Sequence, residues 1–179
     1  MVIRLMSADN QLIEGCRANN RKAQKAIFEK YKNSMLGVCM RYCKSKDEAE
    51  DVLMEAFMTV FSEIHSFRGE GSFEYWIKRI MINSSINNYR KNLKHYFHTD
   101  IDDIDDRKMV KNENIEVSSV KDIMKVVQKL PEGYRVVFNL YAIEGYKHKE
   151  IAKMLEITVG TSKSQLSKAR KMLQSKISL

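Results

Sequence analysis

Apolar side chains recur along most of this chain at spacings of three and four, the period of helices that each bury one face. After Ser7, a capping residue, Leu12, Ile13 and Cys16 mark a short first helix. Asn20 caps a second, whose stripe runs Ala23, Ile27, Tyr31, Met35, Val38 and Tyr42. The sequence Ser45-Lys46-Asp47-Glu48 fits a capping box, opening a third helix with Ala49, Val52, Leu53, Ala56, Phe57, Val60, Phe61 and Ile64 on its inner side. Behind Ser72 a fourth divides into an apolar side, Phe73, Ile77, Ile80, Met81 and Ser84, and a polar side, Arg79, Asn83, Asn87 and Arg90. The pattern fails after Lys94 and returns at Ser119 with Ile123, Val126, Val127 and Leu130, stopping at Pro131. Val136, Val137, Leu140 and Tyr141 follow, ended by Gly145.

The last stretch has the layout of a helix-turn-helix. Ile151, Ala152 and Leu155 give one apolar face, and Ala152 is small enough for a close crossing. Ile157 plugs the turn, Thr158 caps, and Leu166, Ala169 and Leu173 anchor the second helix. Thr161, Ser162, Lys163, Ser164, Gln165, Ser167, Lys168, Arg170 and Lys171 are left largely outward, as donors sized for phosphates and base edges. The expected fold is all-α: two small helical domains, at residues 1–94 and 119–179, joined by a flexible acidic linker at 95–118.

Charge sharpens this division. The chain of 179 residues carries 31 Lys+Arg against 23 Asp+Glu, a formal +8, which favours a polyanionic partner. The excess sits in both modules, while the segment between them, with its Asp100 to Asp106 run, is net acidic. No apolar run is long enough to span a membrane, and the N-terminus lacks a signal-peptide core, so no membrane insertion and a cytoplasmic location are expected. Cys16, Cys39 and Cys43 read as buried thiols. No nucleophile with a base, paired carboxylates, metal cluster or phosphate-binding glycine loop is found, so neither catalysis nor a cofactor is expected.

Two surfaces invite a binding role. In Ser66-Phe67-Arg68-Gly69-Glu70-Gly71-Ser72-Phe73, continuing to Trp76, glycines permit a sharp loop beside aromatics and a guanidinium, a plausible holder for an unstacked base. The same division of faces also describes an ordinary solvated helix. Opposite the stripe of the third helix, Asp47, Glu50, Asp51 and Glu55 make an acidic patch, read either as a solvated face or as a protein-docking surface.

Taken together, these motifs resemble the extracytoplasmic-function (ECF) sigma factors, within the sigma-70 family of bacteria. The resemblance rests on Asp47-Glu48-Ala49-Glu50-Asp51, Glu55-Ala56-Phe57, the 67–73 loop, Trp76 and Arg79-Ile80-Met81-Ile82-Asn83. In the second half it rests on Leu130-Pro131, Glu144-Gly145-Tyr146, Glu150-Ile151-Ala152 and Gly160-Thr161-Ser162-Lys163-Ser164. It implies a four-helix sigma domain two followed by a helix-turn-helix sigma domain four. Asp47, Glu50, Asp51 and Glu55 would dock on the beta-prime clamp helices of core RNA polymerase, with the beta flap as a further contact.

Arg68, Gly69, Glu70, Ser72, Phe73, Trp76, Arg79, Asn83, Asn87 and Arg90 would open and hold the minus-ten element. Lys163, Ser164, Ser167 and Lys168 would read the minus-thirty-five duplex, with Thr161, Arg170 and Lys171 on phosphates. The family also admits an anti-sigma protein as a partner. Three positions depart from its pattern: Met54 stands where Gln is frequent, Glu156 where Gly is usual, and Ser167 where some relatives have a bulky or basic reader. The competing reading is a stand-alone helix-turn-helix regulator, which would not need the acidic patch or the aromatic loop.

Overall fold

In a computed structural model, residues 8–99, 115–116 and 120–178 are described. They divide into two units, Met1–Asn88 and Tyr89–Leu179. In the first, α1 (Ala8–Arg17), α2 (Arg21–Met40), α3 (Lys46–Ser62), a 3-10 turn (Ile64–Ser66) and most of α4 (Phe73–Thr99) follow in order. Asn20 caps α2 through its side-chain oxygen, which accepts from the amides of Lys22 at 2.9 Å and Ala23 at 3.3 Å. Gly15 is required where α1 crosses α2, because a Cβ there would lie 2.6 Å from that of Ala23. The core of the unit is built from the apolar stripes, with Ile27, Met35, Val60, Ile77 and Met81 buried. All three cysteines are buried free thiols, and Cys39 Sγ lies 4.0 Å from Met81 Sδ.

Two details of α4 differ from the sequence expectation. Ser85, not Ser84, is the buried serine, with Ile82 and Ile86 beside it. The sequence pattern gives Ser85 no apolar signal, but its hydroxyl donates to the Met81 carbonyl at 2.8 Å, which satisfies it inside the core. The helix also continues to Thr99, beyond the expected stop at Lys94, because the residues after 94 include no proline or glycine to end it.

The second unit contains α5 (Val120–Gln128), α6 (Glu132–Phe138), a π-helical turn (Asn139–Ile143), α7 (His148–Leu155) and α8 (Val159–Gln174). Val126, Val127, Leu130, Ala169 and Leu173 make a buried cluster, with Tyr134, Phe138 and Met172 against it. Pro131 separates α5 from α6, and Gly145, at φ 79°, ends the π turn. Two short strands add to the helical plan: β1 (Ile115–Glu116) pairs in parallel with β2 (Ile177–Ser178), Ile115 opposite Ile177. The rest of the expected linker from 100 on, the acidic Asp100 to Asp106 run included, and the caps Ser7 and Ser119 lie outside the described residues. No helix among the described residues is long and apolar enough to cross a membrane.

Candidate nucleic-acid interface

The 67–73 loop turns on Gly69 (φ 77°) and Gly71 (φ 93°), both in the left-handed region where a side chain is strained. It is held at its start by Arg17 of α1, whose guanidinium donates to the Phe67 carbonyl, and at its end by Ser72, whose Oγ accepts from the Tyr75 amide at 3.4 Å. Arg68, Gly69, Glu70 and Ser72 are exposed.

Phe73 lies on the core side of α4, where the apolar stripe places it, and not on the exposed surface of the loop. It is only 6% exposed and packs edge-on to Phe67 (5.1 Å between ring centroids) and Tyr31 (5.9 Å). Its other neighbour is Trp76, half-buried and stacked on it at 5.6 Å with 16° between planes. Phe73 starts α4 on the stripe that continues to Ile77 and Met81, so burial of its ring outweighs exposure to a ligand. The aromatic cluster shapes the loop from beneath. The loop offers its outer edge, a guanidinium, a carboxylate, a hydroxyl and backbone groups, as the contact surface.

Along α4, Tyr75, Arg79, Asn83 and Asn87 are exposed and lie four residues apart, forming one ridge that starts beside the loop. Three of these four belong to the expected set. Tyr75, 61% exposed, extends it, and stepping back four residues from Arg79 is the signal that finds it. Arg90 is half-buried and ion-paired with Glu156 of the same unit.

On α3 the cap forms as expected: Ser45 Oγ accepts from the Glu48 amide at 3.2 Å, while the Glu48 carboxylate accepts from the Lys44 amide at 2.6 Å. Oε2 of Glu48 is therefore engaged at the helix end. Asp47, Glu50, Asp51 and Glu55 remain exposed, with Lys46 bridging Glu50 at 3.2 Å. Met54 (54% exposed) and Met58 (71%) stand among them. Exposed methionines beside carboxylates combine adaptable apolar area with charge, a surface suited to a protein partner.

In the helix-turn-helix, Glu150 reaches back to accept from the Lys147 amide at 2.7 Å, opening α7. Glu156 closes it in the left-handed conformation (φ 56°, ψ 39°), so the turn keeps its shape without the usual glycine. Thr158 caps α8, its Oγ1 accepting from the Thr161 amide at 3.0 Å and lying 2.9 Å from the Thr161 hydroxyl. Thr161 is therefore half-buried and engaged in the cap, and Ser164 Oγ donates to the Thr161 carbonyl at 3.0 Å. Lys163, Ser164, Ser167, Lys168, Arg170 and Lys171 are all exposed on α8. Two of these cations rest on aromatic faces, Lys168 Nζ 5.6 Å from the Tyr134 ring and Arg170 5.6 Å from the Tyr141 ring.

Ser162, expected to point outward, is fully buried. Its Oγ lies 2.9 Å from Nδ1 of His148, whose ring stacks on Tyr141 with 4.6 Å between centroids. Burial, then the positive charges of Lys163 and Arg170, hold the His148 pKa below its ordinary value. A lone histidine in a basic segment gives no sequence signal for this arrangement.

Comparison with known proteins accounts for both units. Residues 27–94 match the family model for sigma-70 region 2, and residues 121–173 that for sigma-70 region 4. The chain is 28% identical to the ECF RNA polymerase sigma-E factor of Haemophilus influenzae, over 94% of this chain and 95% of that protein. It is likewise 28% identical to the RNA polymerase sigma-H factor of Pseudomonas aeruginosa, over 92% and 91%. Among solved structures, the sigma factor RpoE in complex with the anti-sigma factor NepR from Bartonella quintana is similar at 20% identity, with a TM-score of 0.49 and coverage of 84% and 93%. With regions 2 and 4 both present, in order, in a chain of matching length, this protein belongs to the sigma-70 family as an ECF sigma factor.

Proposed function

We propose that this sigma factor binds core RNA polymerase in the cytoplasm and directs it to promoters through three surfaces, each supported by its own chemistry. The exposed acidic and methionine-bearing face of α3, with Asp47, Glu50, Asp51 and Glu55, docks on the beta-prime clamp helices. The outer edge of the 67–73 loop (Arg68, Gly69, Glu70, Ser72) and the α4 ridge (Tyr75, Arg79, Asn83, Asn87) hold the opened minus-ten strand. Stacking and cationic contacts there offset the few kcal/mol that unstacking a base costs. On α8, Lys163, Ser164, Ser167 and Lys168 face the minus-thirty-five base edges, and Arg170 and Lys171 the phosphates.

Residues 1–94 act as the polymerase and minus-ten module, 119–179 as the minus-thirty-five module, and 95–118 as the tether between them. The protein performs no reaction of its own; it supplies sequence choice to a polymerase that has none.

The observation that carries this reading is the presence of regions 2 and 4 together, because a stand-alone regulator needs only the second. Co-elution with purified core RNA polymerase tests it. A stable complex is expected; DNA binding without polymerase binding would favour the regulator.

A further inference from the structure

The imidazole of His148 is fixed on two sides. Its Nδ1 is taken up by the buried Ser162 hydroxyl at 2.9 Å, and its face by Tyr141, 4.6 Å away and inclined by 23°. Hydrogen bond and stack together set the plane of the ring and decide which nitrogen is spent. Nε2, across the ring, takes no part in that bond. Arg170 lies over the same tyrosine, and Lys163 adjoins Ser162.

The charges that act on this ring are positive. Lys163 and Arg170 of α8 act on it electrostatically, and Lys147 and Lys149 flank it at the start of its own helix. Of the acids on the neighbouring elements, Glu150 is turned back onto the Lys147 amide, and Glu144 is half-buried at the end of the π turn. Such a site disfavours a further positive charge in the free protein and favours one once an anion is present.

The geometry points to a phosphate subsite formed by His148 and Arg170, in the field of Lys163, where His148 takes up a proton and donates from Nε2 to the backbone of duplex DNA. This inference rests on the reading of the second unit as a duplex-binding module. It adds proton uptake to that module's DNA binding, so that affinity rises as pH falls. Tyr141 and Ser162 are positioning residues, holding the ring without touching the phosphate.

Fluorescence anisotropy of the full chain with a mixed-sequence DNA duplex, at low fixed salt between about pH 8 and about pH 6, tests the subsite, because a phosphate contact is independent of sequence. Uptake of one proton raises affinity by up to about tenfold per pH unit. His148→Asn keeps a group that reaches Ser162 but cannot ionise, and is expected to lose most of that rise. Equal pH slopes in the two proteins would overturn the subsite.

Should His148→Asn fail to fold, the His148 ring can be titrated by NMR in the wild-type chain. Its pKa is expected to move up when the duplex is added; an unchanged or lowered value would overturn the proposal. No duplex binding at any pH would overturn both the subsite and the duplex-binding reading beneath it.

Discussion

The side-chain amide of Asn88 donates to Oε1 of Glu48 at 2.7 Å, so the carboxylate that closes the start of α3 also ties that helix to α4. Glu48→Ala removes both bonds and is expected to cost about 2 kcal/mol, against about 1 kcal/mol for Asn88→Ala. Trp76 is the single tryptophan and lies in the first unit, so its fluorescence during urea unfolding reports that unit.

Phe73 and Tyr75 are two residues apart and are expected to fail in opposite ways. Phe73→Ala opens a cavity among Tyr31, Phe67 and Trp76 and should destabilise the first unit by about 3 kcal/mol or more. Tyr75→Ala, at an exposed site, should leave the unfolding midpoint within about 0.5 kcal/mol of wild type while reducing promoter opening. Permanganate footprinting of melted DNA measures the second effect. Normal opening by the Tyr75 variant would remove it from the interface.

Charge reversal on α3 separates docking from folding. Asp51→Lys with Glu55→Lys is expected to weaken core polymerase binding at least about tenfold, because like charges then face the partner's docking site. Both residues are exposed, so thermal unfolding should hardly change. Competition against a labelled wild-type chain reads the affinity.

His148 also sets a pH dependence in the free protein. Its pKa is depressed in the folded chain, so the unfolded chain binds the proton more readily. Its contribution to stability is complete above its ordinary value of 6.5 and falls as pH drops below it toward the depressed value. Denaturant unfolding followed by helical circular dichroism should show this loss in wild type and less of it in His148→Asn.

On α8, Lys171→Ala should lower the slope of log affinity against log salt by about 1, with little change in sequence preference. Lys163→Ala should instead change which base is preferred in the minus-thirty-five duplex. Binding to a library of duplex variants distinguishes the two.

The helical plan is legible because each stripe has a period and three of the starts carry a capping side chain: Asn20, Ser45 and Thr158 all accept from amides of the first turn. The acidic face could be found because burial leaves Asp47, Glu50, Asp51 and Glu55 no inward option. Phe73 carries two expectations, because an aromatic beside glycines reads alike as a stacking platform and as the first residue of a core stripe. Only its packing partners decide between them. Ser162 was misjudged because serine carries no apolar signal, and the ring that satisfies it lies 14 residues earlier in the chain. Glu156 shows the reverse: it stands where glycine is usual, yet the left-handed conformation is kept at a cost of about 1 kcal/mol.

The central claim is that one chain joins polymerase docking to promoter choice, and in vitro transcription tests it most directly. Core RNA polymerase, this protein and genomic DNA of its source are combined, and the 5′ ends of the transcripts are mapped. The account predicts discrete start sites, absent with core enzyme alone, that share upstream minus-ten and minus-thirty-five elements and weaken with Asp51→Lys/Glu55→Lys. DNA binding by the chain with no such start sites would contradict it.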